Sequence, residues 1–136
     1  VSLLHDIGKV TLSGVNLFKP GKLDEVEWIE LKRHPEIGYR ILSSNSEVGK
    51  LAEYILTHHE NWDGSGYPGG LMGEEIPLAS RIVRIADAYV AMANPRSYRD
   101  ALTREQVIEE LIKNAGIQFD PAQVEIFLNK ILPRLI

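Results

Sequence analysis

The helical pattern of this chain is interrupted at one stretch, residues 58–70, whose sequence is His58-His59-Glu60-Asn61-Trp62-Asp63-Gly64-Ser65-Gly66-Tyr67-Pro68-Gly69-Gly70. Its last ten residues include four glycines and a proline, so we expect a loop rather than a helix or strand. Before it, residues 47–59 place four apolar side chains on one stripe at helical spacing: Val48, Leu51, Ala52 and Ile55. If the predicted helix continues to residue 59, the same spacing places His58 and His59 on the face toward the core.

The part of the chain that precedes this helix also has helix signals. We expect a short helix that ends at Gly8, followed by an irregular stretch as far as residue 22. Asp24 is placed to cap a helix that runs to about residue 33. Because the residue before a proline is pushed out of the helical region, Pro35 predicts a break and a new helix over residues 36–43.

Three more helices are predicted after the loop. The first covers residues 78–93, and we expect its inner face to consist of Ala79, Ile82, Val83, Ala86 and Val90. The second begins with a capping box of Thr103 and Gln106 and takes Gly116 as its C-cap. The last opens at Asp120-Pro121, with a buried stripe expected at Val124, Phe127, Leu128, Ile131 and Leu132. No segment alternates as a strand would, so the predicted fold class is all-α, a helical bundle with one glycine-rich loop.

Composition limits the classes of protein to which the chain can belong. Its 136 residues predict a single domain, with the 44% hydrophobic and 25% charged content of ordinary globular proteins. A net charge of −4 argues against a nucleic-acid polymer or an anionic membrane as a partner. The chain has no cysteine, no signal-peptide pattern and no apolar run near ~20 residues, so we expect a cytoplasmic protein. It opens at Val1 as if inside a helix, and we expect an N-terminally incomplete part of a larger protein.

The residues with the clearest chemistry are the four histidines of the chain: His5, His34, His58 and His59. Any one of them alone is more often a hydrogen-bonded core residue than a metal ligand. As a set with Asp6 and Asp87, they lie at inward or terminal positions of successive predicted helices, where an unpaired polar group is costly. Imidazole and carboxylate ligands suit divalent Fe, Mn, Co, Ni or Zn and suit Ca²⁺ poorly. Adjacent ligands favour a site with more than one ion, bridged by a carboxylate such as Asp6.

Seven motifs follow one another along the chain: His5-Asp6-Ile7-Gly8-Lys9, Lys19-Pro20-Gly21-Lys22-Leu23, His34-Pro35-Glu36-Ile37-Gly38, His58 to Pro68 as quoted above, Arg84-Ile85-Ala86-Asp87-Ala88-Tyr89, Pro95-Arg96-Ser97-Tyr98-Arg99 and Gly116-Ile117-Gln118-Phe119-Asp120-Pro121. From residue 5 to about residue 127, in order and approximate spacing, they resemble the HD-GYP group of the HD superfamily of metal-dependent phosphohydrolases. The HD pair alone is a weak signal, whereas the HHE…WDGxGYP block is very specific.

The resemblance implies a bacterial phosphodiesterase that hydrolyses cyclic di-GMP to pGpG or GMP. It implies two or three divalent ions, usually iron or manganese, on six ligands: His5, Asp6, His34, His58, His59 and Asp87. It implies substrate contacts by five residues of the loop and of the late motif: Tyr67, Gly66, Pro68, Arg96 and Arg99. The expected catalytic residues are Asp6 and Lys9, where Lys9 binds a phosphate or protonates the leaving 3′ oxygen.

Signalling partners are implied by the same resemblance. A sensory or receiver domain, as in a two-component response regulator, is expected before this domain. GGDEF-type proteins, other signalling proteins and a second copy of the chain are candidate partners.

Three departures from the pattern of the group bear on activity. Val90 stands where a second aspartate is common, which weakens support for the metal ligands. Ser97 stands where proline is usual. The earlier helices of the group, which supply a further histidine or glutamate ligand, are absent from residues 1–136, so we expect an open metal site and exposed apolar faces.

Two alternatives stay open. One is an HD-type enzyme for another nucleotide, such as a hybrid cyclic dinucleotide or a nucleoside polyphosphate, although the GYP block argues against the polyphosphate. The other is a non-catalytic module that binds a cyclic dinucleotide or a signalling partner. Val90 leaves room for such a module, whereas intact residues at all six ligand positions favour catalysis.

Overall fold

The computed structural model describes residues 1–12 and 21–135, and the regular elements in these ranges are helices. The α-helices are α1 (Glu25–Leu31), α2 (His34–Ser43), α3 (Ala52–Leu56), α4 (Leu78–Ala93), α5 (Arg104–Lys113), α6 (Pro121–Ile126) and α7 (Leu132–Leu135). Short 3₁₀ helices occupy Ile7–Thr11, Gly49–Leu51 and Gly73–Glu75, and a π-helical turn covers Phe127–Ile131. No strand occurs in the described ranges, which confirms the predicted all-α class. Lys19 and Pro20, part of one predicted motif, lie outside the described residues.

Helix starts are placed by the capping residues that the sequence predicts. The Asp24 carboxylate accepts from the Glu27 backbone N–H at 2.8 Å, and the Glu27 side chain accepts from the Asp24 N–H. Thr103 and Gln106 form the same reciprocal capping box at α5. Asp120 caps α6 through the backbone N–H of Ala122. These three predictions are confirmed, because a cap depends only on its near neighbours.

Two predicted helices in the first half of the chain are wrong. The helix that ends at Gly8 is instead a set of turns followed by the 3₁₀ helix Ile7–Thr11, which passes through that glycine. The continuous helix over residues 47–59 is a 3₁₀ turn followed by α3, which stops at Leu56. His58 and His59 therefore lie in the turn after α3 and not on its inner face.

The break near Pro35 is confirmed, although α2 begins at His34 rather than at residue 36. Proline is tolerated in the first helical turn, because its missing N–H has no partner there. His34 consequently occupies the first residue of α2, where its side chain is 1% exposed.

The bounds predicted for α4 are confirmed, but of the five residues of its predicted inner face only Val83 is fully buried. Ile82, Ala86 and Val90 lie on the exposed side of the helix, whereas Ser80, Val83 and Ile85 are buried. The helix is apolar on more than one side, so periodicity could not choose the buried one. The choice is made by tertiary contacts, since the Ser80 hydroxyl donates to the backbone carbonyl of Tyr54 and lies 2.8 Å from the Thr57 hydroxyl.

Two details of the C-terminal helices also differ from prediction. Helix α5 takes Asn114 as its C-cap, and Gly116, with φ +83°, opens the turn that follows. The π-helical turn after α6 adds a residue per turn, which leaves Ile131 40% exposed while Leu132 is buried as predicted. Ile131, Ile82 and Ile126 line an apolar groove of about 180 Å³ between α4 and the C-terminal helices.

Most of the buried apolar residues in the described ranges belong to two clusters, one on each side of the loop in sequence. One contains Leu42, Ala52 and Ile55, and the other contains Ile85, Val107, Leu111, Phe119 and Val124. Helix α4 joins them, because Ser80 is tied to the α3 side and Ile85 belongs to the second cluster. None of the helices in the described part of the chain is both long and apolar enough to cross a membrane.

Candidate metal centre

Asp6 lies at the centre of the predicted ligands, in the turn before the first 3₁₀ helix. Its Oδ1 atom is 3.3 Å from His34 Nε2 and 3.8 Å from His58 Nε2. Its Oδ2 atom is 3.3 Å from His5 Nε2 and 2.9 Å from Lys9 Nζ. One carboxylate thus contacts residues from the N-terminal turn, from α2 and from the turn after α3.

Gly8 permits this arrangement, because it brings the first 3₁₀ helix against the backbone of α2. A Cβ atom at Gly8 would lie 1.9 Å from the His34 carbonyl oxygen and 2.8 Å from the Gly38 nitrogen. The close approach of these two backbones places Asp6 beside His34.

Three histidines share one orientation. The Nδ1 atoms of His34 and His58 lie 2.6 Å from the carbonyl oxygens of Leu31 and Ile55, and His5 Nδ1 lies 2.5 Å from that of Ser2. A carbonyl only accepts, so Nδ1 carries the proton in each ring. Each ring thus turns its Nε2 atom inward, as metal-binding histidines with a backbone partner do.

The inward atoms fit a bound cation. His34 Nε2 and His58 Nε2 are only 3.3 Å apart, and each faces Asp6 Oδ1. Lone pairs at such distances repel one another unless a cation lies between them. His5 Nε2 and Asp6 Oδ1 are moreover buried without a hydrogen-bond partner among the described residues. Four side chains each offer one ligand atom, and these atoms lie within 4.8 Å of one another: Asp6, His34, His58 and His59. The ligand atoms of one bound transition metal are about 3 to 4 Å apart, so this group is slightly wider than a metal-bound one.

The two remaining predicted ligands adjoin this group of four. His5 Nε2 lies 3.5 Å from Asp87 Oδ1, and the His5 and His58 rings have centroids 5.2 Å apart. The structure thus brings all six predicted ligands into one cluster, with His5 and Asp87 on one side of Asp6. An extended set of this kind fits more than one ion.

The protonation of the cluster suits metal binding. Burial lowers the pKa of His58 to about 4 and that of His59 to about 2, so both rings are neutral at pH 7. Burial opposes ionisation of Asp6, but its contacts with His34, His5 and Lys9 outweigh this and hold its pKa well below the usual range. The carboxylates of Asp6 and Asp87 raise the pKa of His5 to about 10, so without a metal this ring is protonated at pH 7. Metal binding at His5 Nε2 would release that proton.

Tyr67 lies against the cluster. Its ring stacks on His59 with centroids 5.0 Å apart and planes 15° apart, and Lys32 Nζ is 5.3 Å from its ring centroid. Burial raises the pKa of Tyr67 to about 12, which keeps the hydroxyl protonated. Tyr67 is therefore next to the predicted ligands, as a substrate contact requires.

The neighbours of Tyr67 in the loop have different surroundings. A Cβ atom at Gly66 would lie 2.3 Å from the Asn61 nitrogen and 2.5 Å from the His59 carbonyl oxygen. Gly66 thus permits backbone packing, which is a structural reason for glycine at this position. Pro68 is exposed at the tip of the loop.

The predicted arginine contacts are not joined to the cluster by any contact among the described residues. Arg96 and Arg99 pair through their backbones, with Arg96 N–H donating to the Arg99 carbonyl at 2.7 Å. The Arg99 guanidinium donates to the Ala91 carbonyl near the end of α4, and the Arg96 side chain is exposed. The contact of Arg96 and Arg99 with substrate therefore stays a prediction.

Glu60 is a functional candidate that sequence reasoning missed. This carboxylate is 2% exposed and accepts the backbone N–H groups of Gly69 at 2.6 Å and Leu71 at 3.1 Å. It therefore ties the far end of the loop to the turn that holds His58 and His59. A carboxylate directly before a glycine-rich loop, where free N–H groups need acceptors, was the available signal.

We expect Glu60→Gln to loosen the loop. The amide has only one oxygen, so its NH₂ group would face one of the two backbone N–H groups, and two donors cannot form a hydrogen bond. The cost of a buried unsatisfied donor is about 1–3 kcal/mol of unfolding free energy. Hydrogen exchange should accelerate at the amides of Gly69 and Leu71, and chemical denaturation measures the stability. Glu74→Gln, an exposed carboxylate after the same loop, is the matched control. Equal protection of the two amides in Glu60→Gln and wild type would contradict the role of Glu60.

Comparison with known proteins agrees with this geometry. The sequence profile of the HD domain family matches residues 1–123. A 3′3′-cGAMP-specific phosphodiesterase (number 2) of Vibrio cholerae is 47% identical over 129 residues, which cover 93% of this chain and 25% of the relative. The cyclic di-GMP phosphodiesterase response regulator RpfG of Xanthomonas campestris is 46% identical over 129 residues, which cover 92% of this chain and 34% of the relative. This chain therefore spans a quarter to a third of the length of these curated relatives.

A solved structure supports the fold assignment. The crystal structure of a cyclic GMP-AMP specific phosphodiesterase of Vibrio cholerae superposes with a TM-score of 0.68 and 23% sequence identity, over 97% of this chain and 37% of that one. At this identity the likeness concerns the fold alone. The profile match over residues 1–123 shows that the chain belongs to the HD domain family, and the similarity to the two named phosphodiesterases confirms the recognition of an HD-GYP domain in the sequence.

Proposed function

We propose that this chain is the catalytic domain of a metal-dependent phosphodiesterase that hydrolyses cyclic di-GMP. The observation that carries the proposal is the convergence of the Nε2 atoms of His34 and His58 on Asp6 Oδ1, which leaves lone pairs facing one another. The similarity to cyclic dinucleotide phosphodiesterases supports the choice of substrate. The carbonyl-bound histidines and the two orphaned atoms support a resident cation.

We propose two or three divalent ions, iron or manganese, on the six predicted ligands. A ligand set of imidazoles and carboxylates without thiolate suits these ions, and Asp6, which contacts His5 and His34 through different oxygens, would help to hold them. Such ions supply an acidified water as nucleophile and polarise the phosphoryl oxygens of the scissile diester. The carbonyl contacts of His5, His34 and His58 hold the rings in the required orientation.

The remaining roles belong to residues around the cluster. In hydrolysis, a bond forms between the water oxygen and phosphorus while the bond from phosphorus to the 3′ oxygen breaks, which opens the ring to pGpG. A second cut gives GMP. We propose that Tyr67 contacts the dinucleotide through its hydroxyl, since the ring already stacks on His59, and that the loop backbone at Gly66 and Pro68 lies near the ligand. Arg96 and Arg99 are proposed to neutralise charge on the phosphoryl oxygens.

Lys9 is proposed to bind a phosphate or to donate the proton to the leaving 3′ oxygen. Its ammonium group lies 2.9 Å from Asp6 Oδ2, which places it at the edge of the cluster. Because a general acid contributes about 100- to 10,000-fold, Lys9→Met is expected to lower kcat by at least about 100-fold while metal content stays constant. Turnover of Lys9→Met at the wild-type rate would remove Lys9 from the mechanism. Lys113→Met, an exposed lysine of α5, is the control.

A hybrid dinucleotide is the second candidate substrate, because the relative at 47% identity is named as 3′3′-cGAMP-specific. The test is hydrolysis of cyclic di-GMP and of 3′3′-cGAMP by protein purified anaerobically, with products separated by chromatography and a chelated sample as control. A larger kcat/KM for cyclic di-GMP supports the proposal. A larger kcat/KM for 3′3′-cGAMP would instead make that dinucleotide the preferred substrate. Binding of either without turnover would make the domain a receptor, which is the remaining alternative.

The proposed setting of the domain follows from the same similarity. We propose that residues 1–136 form one HD-GYP domain of a larger signalling protein, preceded by a sensory or receiver domain. Other signalling proteins, including GGDEF-type proteins, and a second copy of the chain are the partners to test. Cytoplasmic location stays a prediction.

A further inference from the structure

Arg84 has a partly buried positive charge, and no carboxylate of residues 1–12 or 21–135 forms an ion pair with it. It lies in α4, one turn before Asp87. Its Nε and Nη2 groups donate to Asn61 Oδ1 at 3.3 Å and 3.0 Å, and Nη2 also lies 3.3 Å from Gln118 Oε1. Both acceptors are neutral amides. Arg81, one turn earlier on the same helix, instead forms an ion pair with Asp120 at 2.7 Å.

The surroundings of Arg84 connect it to the candidate active site. Its positive charge is close enough to Tyr67, His59 and Asp87 to interact with them electrostatically. Burial holds the pKa of the guanidinium below its usual value. The Nη1 group has no hydrogen-bond partner among the described residues. A cation that loses water without gaining a counter-ion is costly, so an anion is the natural complement.

We propose that Arg84 binds the phosphate of the cyclic dinucleotide that is not being hydrolysed, an assignment that rests on the proposed phosphodiesterase function. The substrate carries two phosphodiesters, and the scissile one would lie at the metal centre that the six ligands would form. Arg84 adjoins the ligand set without hydrogen-bonding to any of its six members. Asn61 and Gln118 take the donors of Nε and Nη2, which leaves the two N–H groups of Nη1 to donate a charge-assisted hydrogen bond to a phosphate oxygen.

The experiment compares two substrates on the metal-loaded protein. Cyclic di-GMP has two phosphodiesters, whereas bis(4-nitrophenyl) phosphate has one and needs only the metal ligands. The variants are Arg84→Gln, which keeps amide donors without charge, and Arg84→Lys, which keeps the charge without the fork. Arg104→Gln, at the exposed start of α5, removes the same charge elsewhere.

For Arg84→Gln we expect KM for cyclic di-GMP to rise about 10- to 100-fold, because the loss of a hydrogen bond to a charged group weakens binding by about this factor. Arg84→Lys should recover part of this loss, and KM for bis(4-nitrophenyl) phosphate should stay within about 3-fold in all variants. An equal change of KM for both substrates would mean that Arg84 stabilises the fold or positions the metal ligands, and this result would overturn the inference. An unchanged KM for cyclic di-GMP overturns it as well.

The design separates failure of the inference from failure of the proposed function. If wild type hydrolyses cyclic di-GMP and Arg84→Gln does so with the same KM, only the inference fails. If wild type hydrolyses no cyclic dinucleotide, the proposed function fails. Calorimetric titration with cyclic di-GMP then decides the inference, because a weaker Kd of Arg84→Gln supports it and an equal Kd, or no binding to wild type, overturns it.

Discussion

Replacement of Asp6 by asparagine is expected to abolish hydrolysis, with kcat/KM reduced by about 1000-fold or more. The carboxylate is the shared partner of His5, His34 and His58, and both of its oxygens face the cluster. An amide has one oxygen and one donor group and carries no charge, so it would offer one neutral ligand atom where the carboxylate offers two charged ones. Loss of several kcal/mol of transition-state stabilisation corresponds to a rate reduction of this size. Steady-state hydrolysis of cyclic di-GMP measures it.

A matched control separates this effect from the change of net charge. Glu109→Gln removes one carboxylate from the exposed surface of α5 and is expected to keep wild-type activity. Circular dichroism of Asp6→Asn must show the wild-type helix content, so that lost activity is assigned to the site. More than about a tenth of wild-type activity in a folded Asp6→Asn protein would contradict the central place of Asp6.

Gly8→Ala is expected to give the largest loss of stability, about 3 kcal/mol of unfolding free energy. The added Cβ would lie 1.9 Å from the His34 carbonyl oxygen and 2.8 Å from the Gly38 nitrogen, and both atoms belong to the backbone. Because backbone cannot move aside by a change of rotamer, the 3₁₀ helix must separate from α2. That separation moves Asp6 away from His34, so metal binding is lost with stability. Chemical denaturation and metal content measure the two effects.

Gly49→Ala is the control for this substitution. A Cβ at Gly49 meets the Leu42 carbonyl oxygen at 3.5 Å, which is ordinary van der Waals contact. We expect this variant to be as stable as wild type or more stable by up to about 1 kcal/mol, because alanine restricts the unfolded chain. Equal stability of the Gly8 and Gly49 variants would show that the contact of the 3₁₀ helix with α2 does not place the ligands.

The fold was predictable wherever the signal is local. The loop after His59 is confirmed because glycine and proline act on their own backbone, and the caps at Asp24 and Thr103 act on the next turn. The end of α3 was not predictable, because the stripe of apolar residues continues beyond it. Helix α3 ends where His58 Nδ1 contacts the Ile55 carbonyl and Thr57 meets Ser80, and these contacts depend on the site and on α4.

The site was predictable to the extent that its residue types are rare. The chain has four histidines, and the structure brings all of them into one cluster with Asp6 and Asp87. The predicted reason for His58 and His59 was wrong, since a turn and not a helix face presents them. Glu60 and Arg84 were missed because their partners lie across the fold, in the loop backbone and at Gln118.

Metal content is the most direct test of the claim that the histidine and aspartate side chains form a metal centre. Elemental analysis of anaerobically purified protein should find two or more iron or manganese ions per chain in wild type. His58→Ala removes a ligand that is 1% exposed and should retain less than half of this content. Hydrolysis of cyclic di-GMP by wild type without stoichiometric metal, or full metal content in His58→Ala, would contradict the account.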